Sequence, residues 1–160
     1  MQTTYTVHPI GVFQSDGDGA SIILHPEYAP ALAGLESFSH IQCLWWFSHC
    51  DTRDARKVLQ EEAPYQGAPQ WIGTFATRSP QRPNPIALTC AQILYIDHTN
   101  ATIHIAYTDA ENGSPVLDVK PYTPSLDRVE SPTTPKWCDK WPMSLEASAT
   151  FDWGTVFTRE

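Results

Sequence analysis

The run Phe75-Ala76-Thr77-Arg78-Ser79-Pro80-Gln81-Arg82-Pro83-Asn84-Pro85-Ile86-Ala87-Leu88 sets three prolines and two arginines in one short stretch. Proline fixes φ, lacks an N–H and pushes the residue before it into an extended conformation. Ser79, Arg82 and Asn84 each stand directly before a proline, so no helix passes through this run. What remains is a stiff loop that loses little entropy on folding and holds its side chains in fixed directions.

The charges around this loop make it more than a connection. From Ala63 to Ile96 there is no acidic residue, although the whole chain carries 18 Asp and Glu against 10 Lys and Arg. The basic residues of that window are Arg78 and Arg82. Guanidinium forks in a locally positive field bind carboxylates or phosphates. The pattern names the charge of a ligand and leaves the reaction open.

The 160 residues, 41% of them hydrophobic, fit one domain spanning 1–160. Cys43, Cys50, Cys90 and Cys138 form no C-x-x-C pair and the N-terminus lacks the apolar run of a signal peptide, which predicts a cytoplasmic protein with reduced thiols. Cys50 follows His49, but neighbours on a strand face opposite ways, so the pattern reads as a structural thiol. The six histidines show no zinc-type spacing, and no apolar segment reaches the roughly 18 residues of a membrane span. Neither a metal nor a membrane is expected. A net charge of −8 speaks against general, charge-driven nucleic-acid binding and leaves room for a local patch such as Lys120, Arg128, Lys136 and Lys140.

Along the chain, strand follows loop repeatedly. Alternation predicts strands at Thr4 to Phe13 and Ser21 to Leu24 around a turn at Ser15 to Gly19, then a helical turn around Glu27 to Leu32 between Pro26 and Gly34. The nearly continuous apolar run Ile41 to Phe47 predicts a central strand buried on both faces, with Trp45 and Trp46 as core. A polar cap and a stop at Pro64 predict one main helix over about 52–63. Further strands are expected at Trp71 to Phe75, Ile86 to Ile96, Ala101 to Tyr107, Val116 to Lys120 and Ser144 to Phe151. Tyr122 to Pro142, rich in proline and carrying Trp137 and Trp141, reads as an extended arm that packs on its own barrel or reaches a second subunit. The fold class is mainly β: a closed or half-closed barrel with one main helix.

Several phrases occur in an order that resembles one family. The loop Ala76 to Leu88 and the block Asn112-Gly113-Ser114-Pro115-Val116-Leu117-Asp118-Val119-Lys120-Pro121-Tyr122 are similar to signatures of the TsaA-like β-barrel methyltransferases. Ile10-Gly11-Val12 and Leu35-Glu36-Ser37-Phe38-Ser39-His40-Ile41 match its remaining phrases. The resemblance implies an S-adenosylmethionine-dependent methyltransferase that N-methylates threonylcarbamoyl-adenosine beside the anticodon of tRNA, as a homodimer. Carried over position by position, it implies that His49, Arg78, Leu88, Asp109, Ala110, Glu111 and Asn112 line the cofactor. Arg82, Asn84 and Lys120 are implied on the substrate side or in support of the loop, with Asp118 and Tyr122 as candidates for proton removal. The chain departs from the family pattern by having Ser15 to Ala20 where a basic P-R-Q segment is usual, and Ala87 and Thr89 where glycine and serine are usual. A small-molecule methyltransferase and a non-catalytic S-adenosylmethionine-binding module stay open as alternatives.

Overall fold

Short alternating segments separated by turns can bury one face each only by curling a sheet on itself, and the computed structural model shows that solution. It describes residues 3–15 and 19–158. The barrel strands are β1 (Gly11–Ser15), β2 (Ala20–Leu24), β3 (His40–Trp46), β6 (Ile86–Asp97), β7 (Thr102–Ile105) and β8 (Pro115–Pro121), while β4 (Gln60–Glu62) and β5 (Trp71–Gly73) form a separate two-stranded sheet. The barrel order is β1-β2-β7-β6-β3-β8, antiparallel throughout, and a seam of two residue pairs, Gly11 with Val116 and Val12 with Pro115, closes it.

The barrel interior is filled by the inward half of each alternation. Phe13, Ile22, Ile41, Cys43, Ile103, Ile105 and Val116 are buried, each large side chain worth about 1.5–3 kcal/mol when removed from water. Burial also pushes the Cys43 thiol up to about 12, with the Asp118 charge adding to the shift. Cys43 is therefore an inert part of the core. At the end nearest the Pro loop, Trp45 stands edge-on to Phe13 and Phe47 at centroid distances of 5.9 and 4.6 Å. Gly11 explains the Ile10-Gly11-Val12 phrase: a Cβ there would lie 2.2 Å from the Ile23 carbonyl oxygen, so only glycine permits this approach of β1 to β2.

Several expectations need correction. The helix expected over 52–63 is absent: a single 3-10 turn, Ala55–Lys57, is followed by the extended residues of β4. The chain leaves the helix because Gln60–Glu62 pairs with Trp71–Gly73 and because Arg56 is drawn to Asp51 and to the Pro83 carbonyl. β3 is buried on one face only, through Ile41, Cys43 and Trp45, because the barrel has an inside and a solvated outside. The first strand starts at Gly11 rather than Thr4, since its partner β2 ends at Leu24 and a 3-10 turn opens at Pro26. Asp16–Asp18, in the expected turn, lie outside the described residues. The strand expected at Ser144 to Phe151 is instead a helical turn, α2 (Leu145–Ser148), opened by the Ser144 hydroxyl accepting from the Ala147 N–H. β5 stops at Gly73, where the 3-10 turn Thr74–Ala76 begins.

The aromatic anchors of the arm pack on their own chain, against the segment between β4 and β5 and the C-terminal residues rather than on a barrel strand. Trp137 stacks on Tyr65 at 5.2 Å, Trp141 meets both, and Trp153 and Phe157 complete the cluster. Pro124–Asp127 forms α1 near the start of the arm. Among the described residues no helix is long and apolar enough to cross a membrane, and no group of three or more His, Cys, Asp or Glu side chains is placed to hold a metal.

Candidate functional site

The Pro loop lies across the Trp45 end of the barrel and is braced from several sides. The Phe47 N–H donates to the Pro85 carbonyl at 2.9 Å, and Arg56 donates to the Pro83 carbonyl at 3.1 Å. Arg56 is itself fixed by Asp51 at 2.6 Å and lies over the Trp46 ring, whose indole N–H donates to the same carboxylate at 3.1 Å. That Arg56 bond holds the Asp51 carboxyl below its ordinary range. The Thr77 hydroxyl, buried, donates to Glu61 at 2.7 Å and accepts from the Ser79 N–H at 3.2 Å. The window free of acids in sequence is thus approached by an acid in space, brought in by β4.

The two loop arginines have different fates. Arg82 turns inward and donates to the carbonyls of Ser79 at 3.2 Å and Thr77 at 3.4 Å. It staples the loop to itself. Arg78 is exposed and has neither a hydrogen bond nor an ion pair among the described residues. Its charge is felt at Tyr65, whose phenol is raised chiefly by burial and then by Glu61, with Arg78 pulling the other way.

Arg78 borders a cavity of about 380 Å³ whose walls include Trp45, Phe47, Ala87, Leu88 and Asp109. A second cavity of about 170 Å³ shares Trp45, Phe47 and Asp109 and adds His49 and Glu111. The two adjoin as a larger and a smaller lobe that share those three walls. Trp45 donates its indole N–H to the Thr89 hydroxyl at 2.9 Å, and Thr89 in turn donates to Asp109 at 3.5 Å. This chain carries the position of a core tryptophan to a carboxylate on the cavity wall. Thr89, where the family pattern has serine, keeps the hydroxyl that the chain needs.

The expected cofactor residues are mostly gathered here. Arg78, Leu88 and Asp109 line the larger lobe, and His49 and Glu111 line the smaller, their side chains 2.8 Å apart. Ala110 is buried just behind, its N–H donating to the Thr108 hydroxyl at 3.1 Å. Asn112 points elsewhere, accepting from the Ser15 N–H at 3.2 Å and so fixing the end of β1 against the turn. Gly113, at φ 83°, lets that turn close.

The expected substrate-side residues are less concentrated. Asn84 is exposed beside the buried Pro85, and its carbonyl accepts from the Ile86 N–H at 2.7 Å. Asp118 and Lys120 lie on β8 opposite Leu44 and Gln42, on the outer face of the barrel, bonded to each other at 2.6 Å. Tyr122 packs against His40, toward the other end of β3 from Trp45; five residue steps along the strand separate the two by about 17 Å. The described chain does not bring Asp118, Lys120 or Tyr122 into the Arg78 cavity.

Residues beyond the sequence expectation also build the site. Thr77 and Arg56 fix the loop, Thr89 orients Asp109, and Phe47 and Phe75 line the larger lobe. Thr77 sits in the loop phrase itself, but nothing near Arg56 in sequence points to Pro83.

Comparison with known proteins agrees with this architecture. The crystal structure of TrmO from Pseudomonas aeruginosa superposes with a TM-score of 0.65 at 25% identity, covering 85% of this chain and 62% of that one. The chain thus spans less than two thirds of that solved protein. A probable S-adenosyl-L-methionine-binding protein of Methanothermobacter thermautotrophicus is 33% identical over 137 residues, 77% of this chain and 93% of the relative. A tRNA (adenine(37)-N6)-methyltransferase of Rattus norvegicus is 37% identical over 111 residues, 69% of this chain and 24% of that protein. The model of the tRNA-methyltransferase O N-terminal domain matches residues 5–128. A barrel closed over Trp45, a braced Pro loop and this match together place the chain in the tRNA-methyltransferase O N-terminal domain family.

Proposed function

We propose that this chain is an S-adenosylmethionine-dependent methyltransferase that modifies the exocyclic amine of an adenosine in tRNA, with threonylcarbamoyl-adenosine beside the anticodon as its acceptor. The observation that carries the reading is the Arg78 guanidinium, unpaired among the described residues, on a cavity of about 380 Å³ whose walls mix Trp45, Phe47 and Leu88 with Thr77, Thr89 and one carboxylate, Asp109. That size lies within the roughly 300–1,000 Å³ of small-molecule sites. The donor set fits the cofactor: a guanidinium for the methionyl carboxylate, a carboxylate for ribose hydroxyls or the amino group, and Leu88 and Phe47 to cover a ring. His49 and Glu111 border the adjoining lobe.

S-adenosylmethionine, when bound, supplies a methyl group already activated by its sulfonium, so alignment of the acceptor amine is the main catalytic task. The braced loop serves that task by fixing Arg78. Arg82 contributes as a brace of the loop, and Asn84 stands exposed beside it. We assign Asp118, Lys120 and Tyr122 to the acceptor side, reached across a homodimer. Exposed apolar side chains on the arm, Leu126 and Val129, and Met143 just after it support an association surface there. Light scattering is expected to give a mass near twice 17.9 kDa; a monomer would remove these three residues from the site. The four free cysteines suit the reducing cytoplasm, where this tRNA chemistry would take place.

Calorimetry with S-adenosylmethionine and S-adenosylhomocysteine tests the reading. Both bind the wild type, and Arg78→Ala weakens binding by about 1.5–3 kcal/mol, the range for a hydrogen bond to a charged group. Absence of binding at millimolar ligand would overturn it.

A further inference from the structure

Phe75 is 80% exposed, yet it belongs to the wall of the Arg78 cavity. Singly exposed apolar side chains are ordinary on protein surfaces. Phe75 differs in how it is mounted. It occupies the middle of the 3-10 turn Thr74–Ala76, whose neighbours are locked: Thr74 is 2% exposed with its hydroxyl donating to the Val58 carbonyl at 3.0 Å, and Thr77 is 8% exposed with its hydroxyl on Glu61. The backbone under the ring is fixed while the ring itself is left in water. A side chain with this placement contributes little to the core and offers a ready π-face beside a free guanidinium.

We infer that Phe75 stacks on the adenine base of the acceptor and sets its plane at the mouth of the cavity, an inference that rests on the methyltransferase reading above. The inner wall, Trp45 and Ala87, is 4% and 7% exposed, so Phe75 stands on the solvent side, where a base swung out of an RNA loop arrives. Stacking suits the reaction, because a ring gripped by its face leaves the amine on its edge free to meet the methyl group. Unpaired loop bases are commonly recognised on aromatic side chains in this way. Phe75 is a positioning residue in this scheme.

The test uses a stem-loop RNA carrying 2-aminopurine in place of the adenosine beside the anticodon, with protein loaded with S-adenosylhomocysteine so that no turnover intervenes. Binding is followed by anisotropy and stacking by fluorescence quenching. Wild type and Phe75→Tyr quench the probe; Phe75→Leu loses the quenching and binds the RNA about fivefold or more weakly, a loss clearly larger than any in S-adenosylhomocysteine affinity. Equal quenching and binding by Phe75→Leu would overturn the inference. So would a parallel loss of S-adenosylhomocysteine affinity, which gives the ring to the donor's adenine instead. RNA bound by the wild type without quenching removes this inference alone. Cofactor binding with no RNA binding removes the tRNA reading, and this inference with it.

Discussion

Replacing Thr77 by valine keeps the shape of a buried side chain and deletes one hydroxyl, which makes it a sharp probe of how the Pro loop is held. The hydroxyl donates to Glu61 at 2.7 Å, lies 3.0 Å from the Thr74 carbonyl and accepts from the Ser79 N–H at 3.2 Å. A hydrogen bond to a charged group contributes about 1.5–3 kcal/mol, and stranding a partly buried N–H costs about 1 kcal/mol or more. Glu61 is only partly buried and regains water, so the lower end of that range applies and the sum is about 2.5 kcal/mol. For a domain of this size that is about 5–10 °C in Tm. Urea unfolding of wild type and Thr77→Val measures it. Because Arg78 follows directly, S-adenosylhomocysteine affinity falls as well, while Thr77→Ser retains most of both. A stability loss below about 0.5 kcal/mol, the scatter of neutral surface changes, would refute the claim that this hydroxyl holds the loop.

Other outcomes follow from particular contacts. Gly11→Ala forces a Cβ onto the Ile23 backbone, so β1 and β2 must part and the unfolding free energy from urea titration falls by about 1–3 kcal/mol. Asp51 has its folded pKa lowered, chiefly by Arg56, so the pair stabilises above the ordinary carboxylate range and that contribution is lost as pH falls through it. Asp51→Asn therefore flattens the acid limb of the stability profile measured by urea unfolding. Lys120→Ala lowers the salt slope of tRNA binding by about one, measured by filter binding over a salt series. An alkylating reagent on the native protein spares Cys43, with peptide mass spectrometry reporting any label.

The barrel was largely legible in the sequence because its information is local: apolar runs of strand length such as Ser21 to Leu24 and Ala101 to Tyr107 are separated by turns, although the apolar run Ile41 to Phe47 hid the one-sided burial of β3. The 52–63 segment misled because a polar start and a stop at Pro64 mark a helix equally well. What decided against it was pairing with β5 and the pull of Arg56 toward Asp51 and Pro83, which are tertiary effects that override local preference. The Pro loop named the site, but not the division of labour within it. Arg78 and Arg82 are the same residue type in the same stretch, and only the path of the loop carbonyls shows that one is spent on Ser79 and Thr77 while the other has no hydrogen-bond partner among the described residues. The link from Trp45 through Thr89 to Asp109 joins three separate segments and had no local mark.

Incubation with methyl-labelled S-adenosylmethionine, in parallel with bulk tRNA bearing threonylcarbamoyl-adenosine and with a small-molecule extract, tests the proposed reaction at its product. Nucleoside mass spectrometry is expected to place the label on the exocyclic nitrogen of the modified adenosine, and Arg78→Ala to remove it. Label confined to the small-molecule fraction would contradict the tRNA assignment, and label in neither fraction despite measured cofactor binding would contradict catalysis itself.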